Sequence, residues 1–262
     1  MGLTERERTE QIIKPILRGR DIKRYSYEWA GLWLINTHNG YTTQSGDKIP
    51  PIKIAKYPAL KAHFDRQIKD TKKKGKGLFE RDDKGITPYN LRNCAYLEDF
   101  GKLKISWQRV TQEPSFIIEK DFYLLDSMAF LISNSKQELY YLLGLLNSKA
   151  VFWYFRQIGH LYGDNGFLLS NQYVARFPIP KITTKNKPLV DKIIACVDTI
   201  LTIKNPCHTE RSEVSQKIDN RDISAFSKPQ YDKKIKDLES KIDSLVYKLY
   251  DLDSQEIEII ES

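Results

Sequence analysis

Three apolar stripes at helical spacing run through the second half of the chain, and they limit its fold more than any other feature. Leu139, Leu142, Leu143, Leu146, Val151 and Phe155 predict a helix over 136–158, with Asn147-Ser148 as its point of interruption. Leu189, Ile193, Ile194, Val197 and Leu201 predict a second over 188–203. Ile235, Leu238, Ile242, Leu245, Val246 and Leu249 predict a third over 233–251, followed by a short turn capped by Ser254. Between the last two helices the period vanishes. Residues 205–227 are polar and rich in Ser, and read as a disordered insert splitting an antiparallel helical hairpin.

The first half has a different pattern. A helical start over 4–14 meets Pro15, and Arg18-Gly-Arg-Asp21 reads as a turn. Residues 22–35 are aromatic and β-prone, 37–51 form a loop, and Leu60, Phe64 and Ile68 predict a helix over 57–71. Strands are expected over 104–110 and 115–118, with 122–125 as a candidate partner for them, and another short apolar run over 128–133. Short strands mixed with non-alternating helices predict an α+β fold. It would comprise a mixed or antiparallel sheet body over 1–181 and a helical hairpin region over 182–262, with the insert at 205–228. At roughly 150 residues per domain, 262 residues make one large domain or two small ones.

Charge narrows the partners. There are 42 Lys and Arg against 34 Asp and Glu, a net charge of +8. Residues 53–81 hold ten cations against Asp65, Asp70 and Glu80, so this stretch carries nearly the whole excess. Residues 14–24 add Lys14, Arg18, Arg20, Lys23 and Arg24 against Asp21. Such clusters attract a polyphosphate by releasing its condensed counterions. Tyr89, Asn90, Arg92, Trp107, Gln108 and Arg109 are planar or amide side chains of the kinds that stack on bases or read their edges. A membrane surface suits these stretches less, because none is an amphipathic helix with an aromatic face. No apolar run reaches the roughly 20 residues of a membrane span. Cys94, Cys196 and Cys207 form no disulfide framework, which fits a cytoplasmic protein.

Motifs for bond-making chemistry are missing. There is no glycine-rich methyl-donor loop, and Thr87-Pro88-Tyr89 lacks the acidic or amide residue and second proline of a clamp for a flipped base. Glu119-Lys120-Asp121 and Glu239-Ser-Lys241 lack the spacing or setting of a metal-dependent nuclease. The three cysteines have no zinc-ligand spacing. Neither a catalytic residue nor a metal ligand is therefore expected in this chain.

The blocks KPILRGRDIKRY (14–25), EWAGLWLIN (28–36), YPALKAHF (57–64), DKGITPYNLRNCAY (83–96), LLGLLNSKAVFWYF (142–155) and FLLSNQYVARFPIP (167–180) occur in that order. Together they resemble the TaqI-like C-terminal specificity domain, the target-recognition region of adenine-specific DNA methyltransferases and fused type II restriction enzymes. The resemblance implies a sequence-specific grip on double-stranded DNA, while a methyltransferase domain or subunit flips out an adenine. S-adenosylmethionine would belong to that catalytic part, and no cofactor to this chain. Family members carry the catalytic domain N-terminal to this region. The chain begins almost at the first block, so an excised or truncated fragment is expected rather than a separate specificity polypeptide. The DNA-contacting residues would be Lys14, Arg18, Arg20 and Arg24, a phosphate-gripping run of Lys72, Lys73, Lys74 and Lys76, and the readers Tyr89, Asn90, Arg92, Trp107, Gln108 and Arg109. Two other classes stand beside this reading. One is a stand-alone nuclease; the other is a protein-interaction or RNA-binding module using the C-terminal helices.

Overall fold

A computed structural model describes residues 3–71, 78, 80–163, 166–204 and 228–262. The expected insert at 205–227 lies outside them. In chain order the described elements begin with α1 (Glu5–Ile12), β1 (Ile13–Leu17), β2 (Ile22–Lys23), β3 (Ser26–Tyr27), β4 (Trp33–Ile35), β5 (Tyr41–Thr42), β6 (Lys48–Ile49) and α2 (Pro58–Thr71). Next come β7 (Lys104–Gln108), β8 (Val110–Thr111), β9 (Phe116–Glu119), β10 (Tyr123–Leu124), β11 (Met128–Ile132), α3 (Lys136–Leu146) and α4 (Lys149–Ile158). The series closes with β12 (Phe167–Leu168), α5 (Asn171–Val174), α6 (Lys187–Lys204), α7 (Lys228–Leu249) and α8 (Ser254–Glu261). The fold is α+β, with several small sheets and a helical C-terminal region.

The contacts divide the chain into two compact units. The first comprises Met1–Ile16, Gly31–Lys102 and Lys120–Tyr123. Its small core joins Ile12, Tyr57 and Leu60, with Ile35, Ile52, Ile54 and Phe64 packed on them. Thr4 and Glu7 form a reciprocal capping box at the start of α1. That helix ends at Ile12, two residues before the expected boundary, because the residue ahead of Pro15 is driven to extended geometry. The chain continues as β1, antiparallel to β4, with Ile13 opposite Ile35 and Pro15 opposite Trp33. The β-prone run over 22–35 is thus two pieces, since Trp33–Ile35 pairs with β1 and not with its sequence neighbours. β10 joins the far side of β1, correcting its expected pairing with the 104–118 strands. The expected loop over 37–51 contains a small hairpin, β5 with β6. α2 starts at Pro58, whose missing N–H costs nothing in a first turn, and Glu5 of α1 accepts from the Ala59 N–H at 2.7 Å.

The second unit comprises Leu17–Ala30, Leu103–Glu119 and Leu124–Ser262. Here β7 is the central strand of an antiparallel sheet ordered β11-β7-β9. Ile105 and Trp107 of β7, with Phe116 and Ala129, form one wall of the main core; Leu139, Leu143, Val151, Phe155, Ile193, Val197, Ile242 and Val246 are among the residues facing it. The long helix predicted over 136–158 breaks at Asn147-Ser148 for two reasons. Asn147 exchanges both amide bonds with the Phe116 backbone of β9, at 3.0 Å each, and Ser148 caps α4. Asp243 of α7 also accepts from the Lys149 N–H at 2.9 Å, pinning the new helix start to a neighbour. At Gly144 a Cβ would come within 2.6 Å of Ile193, so glycine lets α3 approach α6 closely. The ends of α6 and α7 match as an antiparallel pair: Lys204 lies in the field of Asp232 and Glu239, Cys196 in that of Lys241. The final helix is capped by Asp253, not Ser254, which is its first residue. Asp253 can accept from two amides, those of Gln255 and Glu256, in a capping box.

Candidate nucleic-acid interface

In the first unit the block over 83–96 folds into a turn held from inside by amides. Lys84 bridges to Leu91, and the Gly85 N–H donates to the Asn90 carbonyl at 2.9 Å. Asn90 is buried. Its Nδ2 donates to the carbonyls of Ile52 and His38 at 3.0 and 3.2 Å, and its Oδ1 accepts from the Thr87 hydroxyl. Arg81 donates to the carbonyl of Asn90. Thr37 ties down both neighbours of Asn90: its hydroxyl donates to the Tyr89 carbonyl at 2.6 Å, and its carbonyl accepts from the Leu91 N–H at 2.9 Å. Tyr89 is half-buried and donates its hydroxyl to Asp65 at 2.7 Å, with the Lys61 ammonium over its ring. Burial and the Asp65 bond push this phenol up.

These contacts reassign the expected readers. Asn90 is a brace for the turn and is not placed to meet a base. Tyr89 is tied into the Lys61–Asp65 pair, whose N···O distance is 2.7 Å. Arg92 and Asn93 remain exposed. The two carboxylates that follow Arg92 in the chain are engaged elsewhere: Glu98 accepts from the Gln44 backbone N–H and Asp99 pairs with Lys102. Lys14, in β1 opposite Leu34, is half-buried. Of the ten cations over 53–81, Lys53, Lys56 and Arg66 are exposed, Lys61 is paired and Arg81 is turned inward. Lys72, Lys73, Lys74 and Lys76 lie outside the described residues.

In the second unit the turn Gly19–Asp21 lies on β7. A Cβ on Gly19 would come within 2.7 Å of the Gln108 side chain, so the glycine lets the turn sit on that half-buried stem. Arg18 is spent inside this turn. Its guanidinium reaches Asp21 at 2.6 Å, and the Arg18 N–H donates to the same carboxylate at 2.9 Å. Burial acts to raise the Asp21 carboxyl, but the Arg18 bonds outweigh it and hold the group below the usual carboxylate range. Arg24 is likewise committed, at 3.2 Å from Glu239 and donating to the Asn147 carbonyl. Arg20, Lys23 and Arg109 are exposed, and Arg109 donates to the Asp126 carbonyl at 3.1 Å. Trp107 is only 1% exposed and its indole N–H donates to the Leu169 carbonyl at 2.8 Å, which makes it core and not a stacking platform.

Three features escaped the reading from sequence. Lys104 and Glu119 form a fully buried pair at 3.0 Å directly across β7 and β9, with the Ser106 hydroxyl donating to the same carboxylate. A groove is lined by Thr111, Gln112, Glu113, Ser115, Phe152, Arg156 and Phe167, brought together from three separate stretches. Asn39, in a stretch expected only to be loop, holds the far turn at Ile86. Among the described residues no three His, Cys, Asp or Glu side chains converge to hold a metal ion. Nor, among those residues, is any helix long and apolar enough to cross a membrane.

The arrangement therefore offers exposed cations on a turn of each unit, Arg20 and Lys23 in the second and Arg92 in the first, where the Asn93 amide is exposed as well. The model of the TaqI-like C-terminal specificity domain matches residues 14–179, well over half of the sequence and inclusive of both turns. The chain belongs to the TaqI-like C-terminal specificity domain family. No curated protein matches it. Membership supports a DNA-recognition role in restriction–modification, in association with a methyltransferase. Within this specificity domain, the cations of the Gly19–Asp21 turn and of the 84–92 turn belong to the matched region.

Proposed function

We propose that this chain recognises a specific double-stranded DNA sequence and directs an adenine-N6 methyltransferase to it. That enzyme would be a domain preceding this one or a separate subunit. It would supply the S-adenosylmethionine site, and an endonuclease activity can be carried by the same system. Recognition falls to residues 1–181, and the helical region over 182–262 acts as scaffold. The family match over 14–179 carries the reading. Arg20, Arg92 and Arg109 are the contacts favoured by exposure, and the half-buried Lys14 and Gln108 are further candidates. Lys72, Lys73, Lys74 and Lys76 act as the phosphate grip on the strength of their charge.

Binding of the full chain to a randomised duplex pool tests this directly. Enrichment of one motif is the expected result; retention of the pool without enrichment, or preference for RNA, would overturn it. Lys73→Ala should weaken all duplexes alike and reduce the salt slope by about 1.

A further inference from the structure

The chain reverses between β2 and β3 through Arg24 and Tyr25, and Tyr25 does so with a φ of 63°. Tight reversals of this kind need a positive φ, which glycine, asparagine or aspartate normally supplies. A bulky residue is unfavourable there and stays only where its surroundings fix it. At Tyr25 they do so from several sides. Its ring is 1% exposed within the main core, and its N–H donates to the Phe116 carbonyl at 3.2 Å. The Arg24 guanidinium and the Lys204 ammonium lie 5.8 and 5.9 Å from the centre of that ring. Lys204, the last residue of α6, also donates to the Arg24 carbonyl at 2.6 Å. Arg24 in turn donates to the Asn147 carbonyl, between α3 and α4, and lies 3.2 Å from Glu239 of α7.

The tip of this small hairpin is thus plugged into the helical region. A glycine-containing tip would turn without such help. Strain held in place by so many partners marks a part whose position matters. The run over 18–25 is fixed at both ends, by the Arg18–Asp21 pair and by the plugged tip. Its exposed cations, Arg20 and Lys23, lie between. Cations carried on backbone fixed at both ends lose little further freedom when they meet a partner.

We infer that Glu239 and Lys204 are positioning residues for DNA binding: through Arg24 and Tyr25 they hold Arg20 and Lys23 where the phosphates of the duplex are met. The inference rests on the DNA-recognition reading and gives the helical region a task in it beyond support.

The test uses the full chain and the duplex enriched from the randomised pool. Glu239→Gln keeps the shape of the side chain and removes the charge facing Arg24. By charge alone, losing a carboxylate should strengthen binding to a polyanion. The inference requires the opposite: binding about fivefold weaker, with a shallower salt slope, because displaced cations neutralise fewer phosphates. Lys204→Met removes the bond to the Arg24 carbonyl, leaves the ion pair, and should also weaken binding. In a chain that already carries Arg20→Ala and Lys23→Ala, neither substitution should weaken binding further. Circular dichroism verifies that each variant is folded. Unchanged or tighter binding by folded Glu239→Gln would overturn the inference and leave the DNA reading standing. So would a loss that persists undiminished in the Arg20→Ala, Lys23→Ala chain. Unfolding of both Glu239→Gln and Lys204→Met would overturn it too, by making the cluster part of what holds the domain together. Failure of the wild type to enrich any sequence would bring down both readings.

Discussion

The turns at 18–24 and 84–92 both present cations, but they are built from opposite materials. In the first, arginines do the internal bonding: Arg18 closes on Asp21 and Arg24 on Glu239, leaving Arg20 and Lys23 outside. In the second, amides dominate the inner bonding, Asn90 from within and Asn39 from behind, and Arg92 stays outside. Where acids are near, a guanidinium makes a stronger brace than an amide but loses its availability to a partner. A dense run of positive residues is therefore a poor count of free positive charge.

The largest expected effect falls on the amide-braced turn. Asn90→Ala should cost about 3 kcal/mol in denaturant unfolding, because it removes a buried amide and its three bonds to the part-buried carbonyls of His38 and Ile52 and the Thr87 hydroxyl. A loss below about 1 kcal/mol would mean the turn is held mainly by Thr37 and Arg81. Arg92→Ala comes next. Stability should stay within about 0.5 kcal/mol of wild type, while discrimination at one base pair falls by about 1–3 kcal/mol. A uniform loss on cognate and random duplexes would make Arg92 a phosphate contact instead. Arg20→Ala should act in that uniform way, lowering the salt slope by about 1 without changing the selected sequence.

The smallest effect probes the arginine-braced turn through acid. The native-state pKa of Asp21 is depressed by Arg18, so the stabilisation it gives is present above the unfolded carboxyl value of about 3.9. It is lost as pH falls through the native value. Arg18→Ala should therefore be less stable than wild type near neutrality, and the gap should close as pH drops below about 4. A gap that persists unchanged into acid would show that Arg18 acts through packing alone.

Helix placement was legible in the sequence because each stripe is local. The leucines of 139–146 and the isoleucines of 193 and 242 repeat at the spacing of one helix face wherever that face is buried. The break at Asn147-Ser148 was legible as letters, although its cause, the exchange with Phe116, is not local. Strand partners were harder. Tyr123–Leu124 and Trp33–Ile35 both join Ile13–Leu17, and a short strand has no signal that names its neighbour. Of the candidate site, the basic and planar stretches were visible, but exposure was not. Asn90 and Trp107 had the right chemistry and face inward.

By itself the sequence determined the longer helices, the α+β class and the excess of positive charge, since each depends on neighbours a few residues apart or on composition alone; the one-turn helix Asn171–Val174 had no such signal. Only the tertiary structure decided which charged and planar groups are consumed by internal bonds and which are left for a partner. Those bonds join residues as far apart as Arg24 and Glu239, and side-chain availability is what remains after such pairs have formed.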